Sequence, residues 1–537
     1  MFNGFLKKLM AALIFIPVAG TLIFAASKPA PLTFPISKTP LELTDFVAFN
    51  PAKAGGIKSY SEMTIYKVFA QKTNITMKFI HPPVGQEEEQ LNLMVASRSF
   101  PSIVEWNWLN YIGGPEKAIQ DGVAIPLNDL INKYAPNLKK ILTKNPAARK
   151  QIMTDNGTIY CFPFLRLDPG ITTAVGLQIR KNWLDKLHLK EPQTIDDWYK
   201  MLKAFKEKDP NGNGKADEIP FTAMKFDGLN NRWEFAGLNP FLGCWGIGPE
   251  FYQIHNKVRY GPVQPQYKQF LTTMNKWYKE GLVDPGFMAN DVKQRDSLIS
   301  GDRAGAWNGQ LSGDMGRLIQ LNRVKNPDFS IIGAAFPIGP AGKAYNFDRE
   351  TIRVFPGVGA AITKNNKHVI ETVKYLDYGY SDEGHRYMNY GVEGVSYEMV
   401  NGAPKFKEVI TNNPKYSIDQ GIGTYCRGVG QPPTYFELGL MMQRWFLPEQ
   451  QEASKKWRDA NTSRVMPPVT MSPEEARKYA SIMNDVNTYV EEMTAKFITG
   501  QVPLAQFDTY LKTLNQLGIK DAIQMQQDAL NRFQKRK

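Results

Sequence analysis

The sequence predicts an α/β fold of two lobes, with mixed sheets flanked by helices and a helical C-terminus. Its length of 537 residues exceeds what one core organises, since single hydrophobic cores stop growing at about 250–300 residues. Its composition is that of an ordinary globular protein, with 42% hydrophobic and 22% charged residues. Strand-like and helix-like segments alternate along the chain, which is typical of a parallel sheet covered by helices on both faces.

The alternation begins after a proline-rich stretch, residues 27–40, which is predicted to be a linker. Alternating, β-branched-rich segments indicate strands, whereas apolar residues spaced three or four positions apart indicate helices. The predicted strands are residues 41–49, 75–80, 102–104, 177–180, 301–307, 331–337 and 358–363. The predicted helices are residues 63–73, 87–96, 181–187, 195–206 and 368–380, followed by three C-terminal helices of which the first two end at Gly500 and Gly518.

The N-terminus has the pattern of a secretory signal peptide over residues 1–26. Lys7 and Lys8 form a positive segment, residues 9–26 carry no charge, and small residues that suit a signal peptidase close the run. An uncleaved anchor stays open as the alternative, because an apolar run near this length is about the shortest that spans a bilayer. We therefore predict an exported protein, extracellular or associated with the bacterial cell envelope, and tethered to the membrane if the segment is not cleaved.

The net charge of +13 is spread along the chain and includes a basic C-terminal tail. No nucleic-acid recognition motif accompanies this charge, so a nucleic-acid partner is not predicted. A basic surface could favour acidic wall polymers or acidic sugars, but we prefer the interpretation of a merely solvated surface. The three cysteines, Cys161, Cys244 and Cys426, do not form a disulfide framework and are predicted to be small buried side chains.

The sharpest local motif, residues 209–220, is predicted to bind a structural Ca²⁺. Oxygen-bearing side chains at positions one, three and five, with glycine at six, wrap a chain around a hard cation. The predicted ligands are Asp209, Asn211, Asn213, the carbonyl of Lys215, Asp217 and Glu218. The motif departs from an EF-hand at position twelve, where Pro220 replaces the usual glutamate. The alternative is a surface loop of ordinary Asx turns.

Enzyme signatures are mostly missing from the sequence. The five histidines are far apart and have no metal-ligand spacing. The G-x-S-x-G, H-E-x-x-H and P-loop motifs do not occur. Carboxylates are numerous, so a pair that hydrolyses glycosidic bonds stays open as an alternative, because sequence does not show spatial separation. We predict that the protein is not an enzyme.

Aromatic residues in polar, turn-rich contexts are the first candidates for ligand contact. Flat rings pack on the C–H groups of sugars while amides and carboxylates bond the hydroxyls. Trp106, Trp245 and Trp307 lie at predicted strand-to-loop junctions, where open parallel sheets bind ligands. Packing in a hydrophobic core is the alternative for each of them.

Several segments together resemble extracellular solute-binding proteins of family 1, which includes LplA-like lipoproteins and alginate-binding proteins of ABC transporters. These segments occur in order along nearly the whole chain after the signal. They are residues 100–104 (FPSIV), 120–131 (QDGVAIPLNDLI), 133–137 (KYAPN), 179–185 (IRKNWLD), 207–220 (EKDPNGNGKADEIP), 380–385 (YSDEGH), 390–394 (YGVEG) and 497–500 (FITG).

The resemblance implies a type II periplasmic-binding-protein-like fold that binds sugar between two lobes and closes by hinge motion. It implies a first lobe of residues 41–166 and 363–430, and a second lobe of residues 167–362 and 431–537. It places one hinge near residues 166–170, with further crossings near Val358 and Gly430. It also implies the calcium loop, which alginate-binding relatives carry in the same order. The lipid-anchoring cysteine that many relatives carry after the signal is missing from this sequence.

We predict that the chain captures an oligosaccharide and delivers it to a membrane permease with its ATPase, acting as a monomer. Tyr390 and Glu393 enter as candidates because they lie in the segment most characteristic of the family. The predicted ligand-binding residues are Trp106, Trp108, Trp245, Trp307, Tyr390, Glu393, Tyr397 and Tyr435. An exported polysaccharide-degrading enzyme and a binding protein for wall polymers or peptides are the alternatives.

Overall fold

The structure, a computed structural model, describes residues 31–50, 54–224, 237–348 and 353–536. The predicted signal peptide and the start of the predicted linker lie outside the described residues. The rest of that linker packs on the first lobe. The Ser37 amide donates to the Thr73 carbonyl at 3.0 Å, and the Phe34 ring meets the Tyr378 ring edge-on, with centroids 5.0 Å apart. Within these ranges, no helix has the length and apolar character needed to cross a membrane.

The strands include each predicted one, with ends that shift by a few residues. They are β1 (Leu41–Phe46), β2 (Ile75–Ile80), β3 (Ile103–Asn107), β4 (Phe162–Pro163), β5 (Leu165–Arg166), β6 (Val175–Arg180), β7 (Ile219–Phe221), β8 (Phe251–Ile254), β9 (Lys257–Tyr260), β10 (Ala304–Gln310), β11 (Ile331–Gly333), β12 (Val358–Ile362), β13 (Tyr397–Val400), β14 (Ala403–Phe406) and β15 (Tyr435–Phe436).

The helices begin and end where capping chemistry predicts. The hydroxyls of Thr194 and Ser472 accept from backbone amides three residues on, in capping boxes that start two long helices. Gly500, with a φ of 80°, ends the longer one. The α-helices described are Thr64–Thr73, Glu87–Ser97, Gly114–Asp121, Asn128–Tyr134, Pro136–Lys144, Pro146–Gln151, Lys181–Lys186, Ile195–Glu207, Pro265–Lys279, Val292–Ser300, Arg317–Arg323, Val369–Tyr378, Asp382–Tyr390, Glu408–Thr411, Ile418–Tyr425, Leu438–Arg444, Pro448–Arg458, Pro473–Thr499, Phe507–Gln516 and Ile519–Lys535.

The first sheet has the order β2-β1-β3-β12-β4. β1 runs parallel to both β2 and β3, as the strand–helix alternation predicts. β12 runs antiparallel to β3 and β4, so the sheet is mixed. The chain enters this strand from the second lobe and not through a local crossover helix. The strand can therefore pair in either direction. The chain thus rejoins the first sheet at Val358, ahead of the expected return at residue 363.

The second sheet has the order β11-β6-β10-β7. β6 pairs antiparallel with β10, where Trp307 lies opposite Gln178, and antiparallel with β11. Only the β10–β7 pair of this sheet is parallel. The predicted mixed character is therefore confirmed for this sheet. The parallel pairing that strand–helix alternation favours holds here only for β10 and β7, because long excursions separate the other strands and do not constrain their direction as a short βαβ unit does.

Three hydrophobic clusters hold the described residues together. The first surrounds the first sheet, and the second joins the second sheet to the C-terminal helices. The third packs the opposite face of the second sheet against residues 390–460. Cys161, Cys244 and Cys426 are buried free thiols, as predicted, and burial raises the pKa of each one.

The expected hinge falls on the short segment that leaves β5. Asp168 accepts a hydrogen bond from the Gly170 amide at 2.7 Å and thereby caps the 3-10 turn Pro169–Ile171. β15 pairs in parallel with β5 at this point, with Tyr435 opposite Leu165. Two passages of the chain therefore lie side by side where it leads from the first sheet towards β6.

Candidate functional site

A cavity of about 450 Å³ opens between the two sheets, at the edge where β3 and β10 end. Ligands of α/β proteins bind at such carboxyl edges. The lining comes from both lobes and from residues 418–445, which we term the bridging segment. Its polar and aromatic members are Asn50, Tyr60, Asn107, Phe164, Arg166, Gln310, Ser312, Asp419, Gln431, Phe436, Arg444 and Trp445.

Strand ends position one amide side chain on each side of the cavity. Asn107 is the last residue of β3, and its Oδ1 accepts from the Leu109 amide at 3.2 Å. Gln310 is the last residue of β10, and its backbone N–H donates to the Asp314 carboxylate at 2.7 Å. Gly357 has a φ of 109°, and a Cβ there would meet Asn107 Oδ1 at 2.1 Å. The loop before β12 can therefore approach Asn107 only with glycine at this position.

A buried ionic cluster lies behind the first-lobe wall. Arg427 of the bridging segment is fully buried and donates to Glu105 of β3 at 2.6 Å and to the Tyr66 hydroxyl at 2.8 Å. Burial raises the pKa of the Asp45 carboxyl well above its ordinary value, and the negative charge of Glu105 adds to that shift. One guanidinium faces two buried carboxyls, and both burial and the charge of Glu105 favour the protonated form of Asp45.

Tyr60 connects this cluster to the cavity. The guanidinium carbon of Arg427 lies 4.2 Å from the centroid of the Tyr60 ring. The Tyr60 hydroxyl accepts a hydrogen bond from Gln431 Nε2 at 2.6 Å. Within the described part of the chain, the buried Oε1 of Gln431 has no hydrogen-bond partner. Tyr60 of the first lobe and Gln431 of the bridging segment thus present an aromatic ring and an oriented amide that are held from behind.

The bridging segment supplies the facing wall. Arg444 donates to Asp419 Oδ1 from Nε at 3.0 Å and from Nη2 at 2.9 Å, so these two lining charges neutralise each other. The rings of Phe164 and Phe436 meet edge-on, with centroids 4.6 Å apart. Trp445 follows Arg444, and its side chain is fully buried where it lines the cavity. Aromatic surface beside polar groups is the combination that suits a sugar.

Five of the predicted ligand residues lie in the hydrophobic clusters. Trp108 donates to the Gly359 carbonyl at 2.8 Å, and Trp307 donates to Gln178 Oε1 at 3.1 Å. Trp245 is 6% exposed and belongs to the second cluster. The remaining two, Tyr390 and Tyr397, are buried in the third cluster with ring centroids 5.9 Å apart, and the Tyr390 hydroxyl donates to Glu437 at 2.8 Å.

The other three predicted residues are more accessible. Trp106 is half-buried and precedes the lining residue Asn107. Tyr435 is half-buried, precedes the lining residue Phe436, and stacks on His385 with ring centroids 4.0 Å apart. Glu393 is exposed and lies close in the sequence to Tyr390 and Tyr397. None of the eight candidates is among the described lining residues, of which Asn107 and Phe436 are direct sequence neighbours of a candidate.

Sequence reasoning missed Tyr60, Gln431 and Trp445. Tyr60 precedes a predicted helix, and Trp445 directly follows the short helix Leu438–Arg444, so both have the appearance of core residues. Gln431 could have been predicted as a site residue, because a crossing was expected near Gly430 and the two prolines that follow Gln431 indicate a turn.

The loop at residues 209–218 has the hydrogen bonding of a cation-binding turn. The Asp209 carboxylate accepts from the backbone amides of Gly212, Asn213 and Gly214 at 2.8–3.1 Å. These bonds, that from Gly214 first, lower the pKa of Asp209. Asn213 Nδ2 donates to Asp217 Oδ1 at 3.0 Å. Hydrogen bonds thus hold the oxygen-bearing side chains of the loop close together without burying most of them.

Glu218 is the part of this loop that ordinary Asx turns do not explain. It is only 3% exposed, and its Oε1 has no hydrogen-bond partner among the described residues. Burial raises the pKa of Glu218, and the charges of Asp209 and Asp217 raise it further. A buried carboxylate with an unpartnered oxygen beside two other carboxylates is unfavourable unless a cation joins them. The donor set therefore fits Ca²⁺, although across the described ranges no three acidic, His or Cys side chains already stand in metal-ligand geometry.

Comparisons with known proteins agree with this architecture. The sequence profile of bacterial extracellular solute-binding proteins matches residues 56–386. The fructooligosaccharide ABC transporter substrate-binding protein FusA of Streptococcus pneumoniae serotype 4 is 26% identical over 474 residues, which cover 84% of this chain and 83% of FusA. Lipoprotein LipO of Bacillus subtilis (strain 168) is 30% identical over 391 residues, which cover 69% of this chain and 71% of LipO.

Solved structures show the same likeness over almost the whole chain. The alginate-binding protein AlgQ2, in a structure without calcium ion, has a TM-score of 0.73 at 26% identity and covers 92% of this chain and 99% of its own. FusA, as an EF-hand mutant in complex with fructo-nystose, has a TM-score of 0.73 at 23% identity and covers 92% of this chain and 100% of its own. The FusA structure bears on the fold alone.

The protein belongs to the family of bacterial extracellular solute-binding proteins, because the family profile spans more than half of its length. Its fold is that of the type II solute-binding proteins, as predicted.

Proposed function

We propose that this protein is the extracellular substrate-binding subunit of an ABC importer and that it captures an oligosaccharide in the cleft between its lobes. The observation that carries the proposal is a cavity of about 450 Å³ lined by aromatic rings and amides from both lobes and the bridging segment. FusA and AlgQ2, which cover most of this chain, are named for binding fructooligosaccharide and alginate.

The cleft works by closure. Asn107 and Tyr60 belong to one side, whereas Gln310 and Ser312 belong to the other, so a sugar that reaches both sides favours the closed form. The turn at Pro169–Ile171 and the neighbouring β15 are the hinge in this mechanism. Trp106 and Tyr435 are the predicted ligand residues best placed to contribute, because each precedes a lining residue.

Binding without cleavage is the activity we propose. Asp419 is the only acidic residue in the described lining, and it is bound to Arg444. Hydrolysis of a glycosidic bond uses two carboxyl groups about 5–10 Å apart on either side of the bond. A single neutralised carboxylate does not supply them.

Ca²⁺ has a structural role in this proposal. The side chains of Asp209, Asn211, Asn213, Asp217 and Glu218, with the carbonyl of Lys215, would hold the ion. The ion would offset two of the three carboxylate charges and give the buried Glu218 oxygen a partner. The AlgQ2 structure without calcium ion and the FusA EF-hand mutant indicate a calcium site in these relatives, which supports the assignment.

The remaining parts of the proposal follow from the family. The partner is a membrane permease with its ATPase, and the protein acts as a monomer outside the cytoplasmic membrane. Residues 1–26 are the export signal, and the two lobes meet at the crossings described above.

The test is a thermal-shift and calorimetry screen of the mature chain in Ca²⁺ against neutral and acidic oligosaccharides. A ligand at about 100 times its dissociation constant adds about 2.7 kcal/mol to the free energy of unfolding. We expect one sugar class to raise the unfolding temperature and to be recovered intact. Recovery of a cleaved glycan would instead establish an enzyme. No shift with any sugar would leave the wall-polymer or peptide alternative.

A further inference from the structure

The charges that line the cleft are already paired. Arg444 and Asp419 form a bidentate pair at 2.9–3.0 Å. Arg166 is also engaged by partners, and its guanidinium lies 5.7 Å from the Phe164 ring centroid. The described lining contains no lysine and no histidine. Within the described lining, therefore, no cationic side chain is without a partner, although the chain carries a net charge of +13.

The buried cluster behind the first-lobe wall adds no positive charge either. Arg427 is balanced by Glu105 at 2.6 Å, and the neighbouring carboxyl of Asp45 adds no positive charge in either protonation state. A carboxylated sugar in the cleft would thus lose its hydration without gaining a cation, and burying an unpaired carboxylate is costly.

Two neutral polar atoms in the lining lack the partners that such atoms normally have when buried. Among the described residues, neither Trp445 Nε1 nor Gln431 Oε1 has a hydrogen-bond partner. By contrast, the indole N–H groups of Trp108, Trp307 and Trp457 donate at 2.8, 3.1 and 2.9 Å. One orphaned atom is a donor and the other an acceptor, which are the two functions that a sugar hydroxyl satisfies.

We propose that the cleft selects uncharged oligosaccharides over oligouronates, and that Trp445 Nε1 and Gln431 Oε1 are the donor and acceptor that bind sugar hydroxyls. This inference rests on the proposed function and deepens it by naming the substrate class. Arg444 and Asp419 keep each other as partners and shape the wall, and the rings of Phe436 and Trp445 provide the apolar surface.

The experiment compares neutral tetrasaccharides with tetrauronates of the same backbone, which differ only at C6. The probes are mannotetraose with tetramannuronate, galactotetraose with tetragalacturonate, and cellotetraose with its uronate, each titrated calorimetrically into the mature chain in Ca²⁺. We expect the neutral member of the binding pair to bind at least about tenfold more tightly, with little dependence on salt. Equal or tighter binding of a uronate overturns the inference while leaving the proposed function in place. Binding of no sugar overturns both.

The two atoms are tested with Trp445→Phe and Gln431→Leu. Each removes one hydrogen-bonding function, so we expect the neutral sugar to bind about three- to tenfold more weakly. Trp198→Phe is the matched control, because Trp198 is also fully buried with an unpartnered Nε1 in the described chain but lies outside the cleft. Unchanged affinity in both cleft variants, at unfolding temperatures close to that of the control, overturns the assignment of these atoms.

Discussion

The guanidinium of Arg427 lies 2.6 Å from the carboxylate of Glu105, and both side chains are almost fully buried. Their residues are far apart in the sequence, one in the bridging segment and one at the centre of β3. The pair therefore fastens the bridging segment to the first sheet directly behind the wall that Tyr60 and Gln431 form.

Arg427→Met is expected to lower the free energy of unfolding by about 3–5 kcal/mol, because it leaves the Glu105 carboxylate buried without a partner. Urea unfolding followed by fluorescence measures the change. The double variant Arg427→Met with Glu105→Gln is expected to recover part of the loss. A single variant within about 1 kcal/mol of the parent, or a double variant less stable than the single one, would contradict this account.

Stability is expected to depend on pH through Asp377. This carboxylate accepts from the Leu138 amide at 2.8 Å and from Asn137 Nδ2 at 2.8 Å, but burial raises its pKa to about 7. A raised pKa means that the folded state holds the proton more tightly than the unfolded state. The free energy of unfolding therefore falls as pH rises from about 4 to about 7, by up to about 1.4 kcal/mol per pH unit.

Asp377→Asn removes this titration, so the variant should lose less stability than the parent between pH 4.5 and pH 7.5. Urea unfolding at several pH values gives both slopes. Other carboxyl groups with a raised pKa, such as Asp45, are present in both proteins, so their contributions cancel when the two slopes are compared. Identical slopes would show that Asp377 is charged throughout this range.

Removal of Ca²⁺ by chelation is expected to lower the unfolding temperature, and Glu218→Gln is expected to reduce that effect. At about 100 times the dissociation constant, the bound ion adds about 2.7 kcal/mol. Differential scanning fluorimetry with and without chelator measures both proteins. Asp328→Asn, which changes an exposed carboxylate elsewhere, serves as the control. A chelator effect of the same size in the Glu218 variant and the control would exclude this residue from the site.

The C-terminal helix is expected to hold the second lobe to the first through Asp155. Its carboxylate accepts from Arg536 Nε at 2.9 Å and from Arg532 Nε at 2.7 Å. Arg536→Met is expected to cost about 1–3 kcal/mol, because Arg536 is 5% exposed and its hydrogen bonds cannot be replaced by water. Lys535→Met, which changes an exposed neighbour, is expected to change stability by less than about 0.5 kcal/mol. Chemical denaturation compares the two, and equal effects would refute the interlobe role.

Periodicity and capping signals were enough to predict seven of the fifteen described strands and eight of the twenty described α-helices, because those signals are local. The strand predicted at residues 75–80 and the helix predicted at 63–73 are present almost as expected. The site prediction and the observed cavity differ because some strands end at other residues than predicted. β10 was expected to end at Trp307 but continues to Gln310, so Trp307 packs inside the protein and Gln310 lines the cleft. β3 likewise continues to Asn107.

The rest of the cleft could not be predicted from local pattern. Tyr60, Gln310 and Gln431 are brought together only by the packing of two lobes and the bridging segment. The pairing of Arg444 with Asp419, which decides the charge of the cleft, is equally invisible in the sequence. The calcium loop is the opposite case, since all its predicted ligands lie within ten consecutive residues.

The loop at residues 209–218 is fastened to the start of β10, since Asn211 Nδ2 donates to the Asp302 carbonyl at 3.0 Å. β10 runs from there to Gln310 at the cleft, a span of about 23 Å at about 3.3 Å per residue. The loop and the sugar-binding wall therefore lie at opposite ends of strand β10. The loop is too distant to touch a captured sugar, and any influence between them must pass along the strand as a change in how firmly one end is anchored.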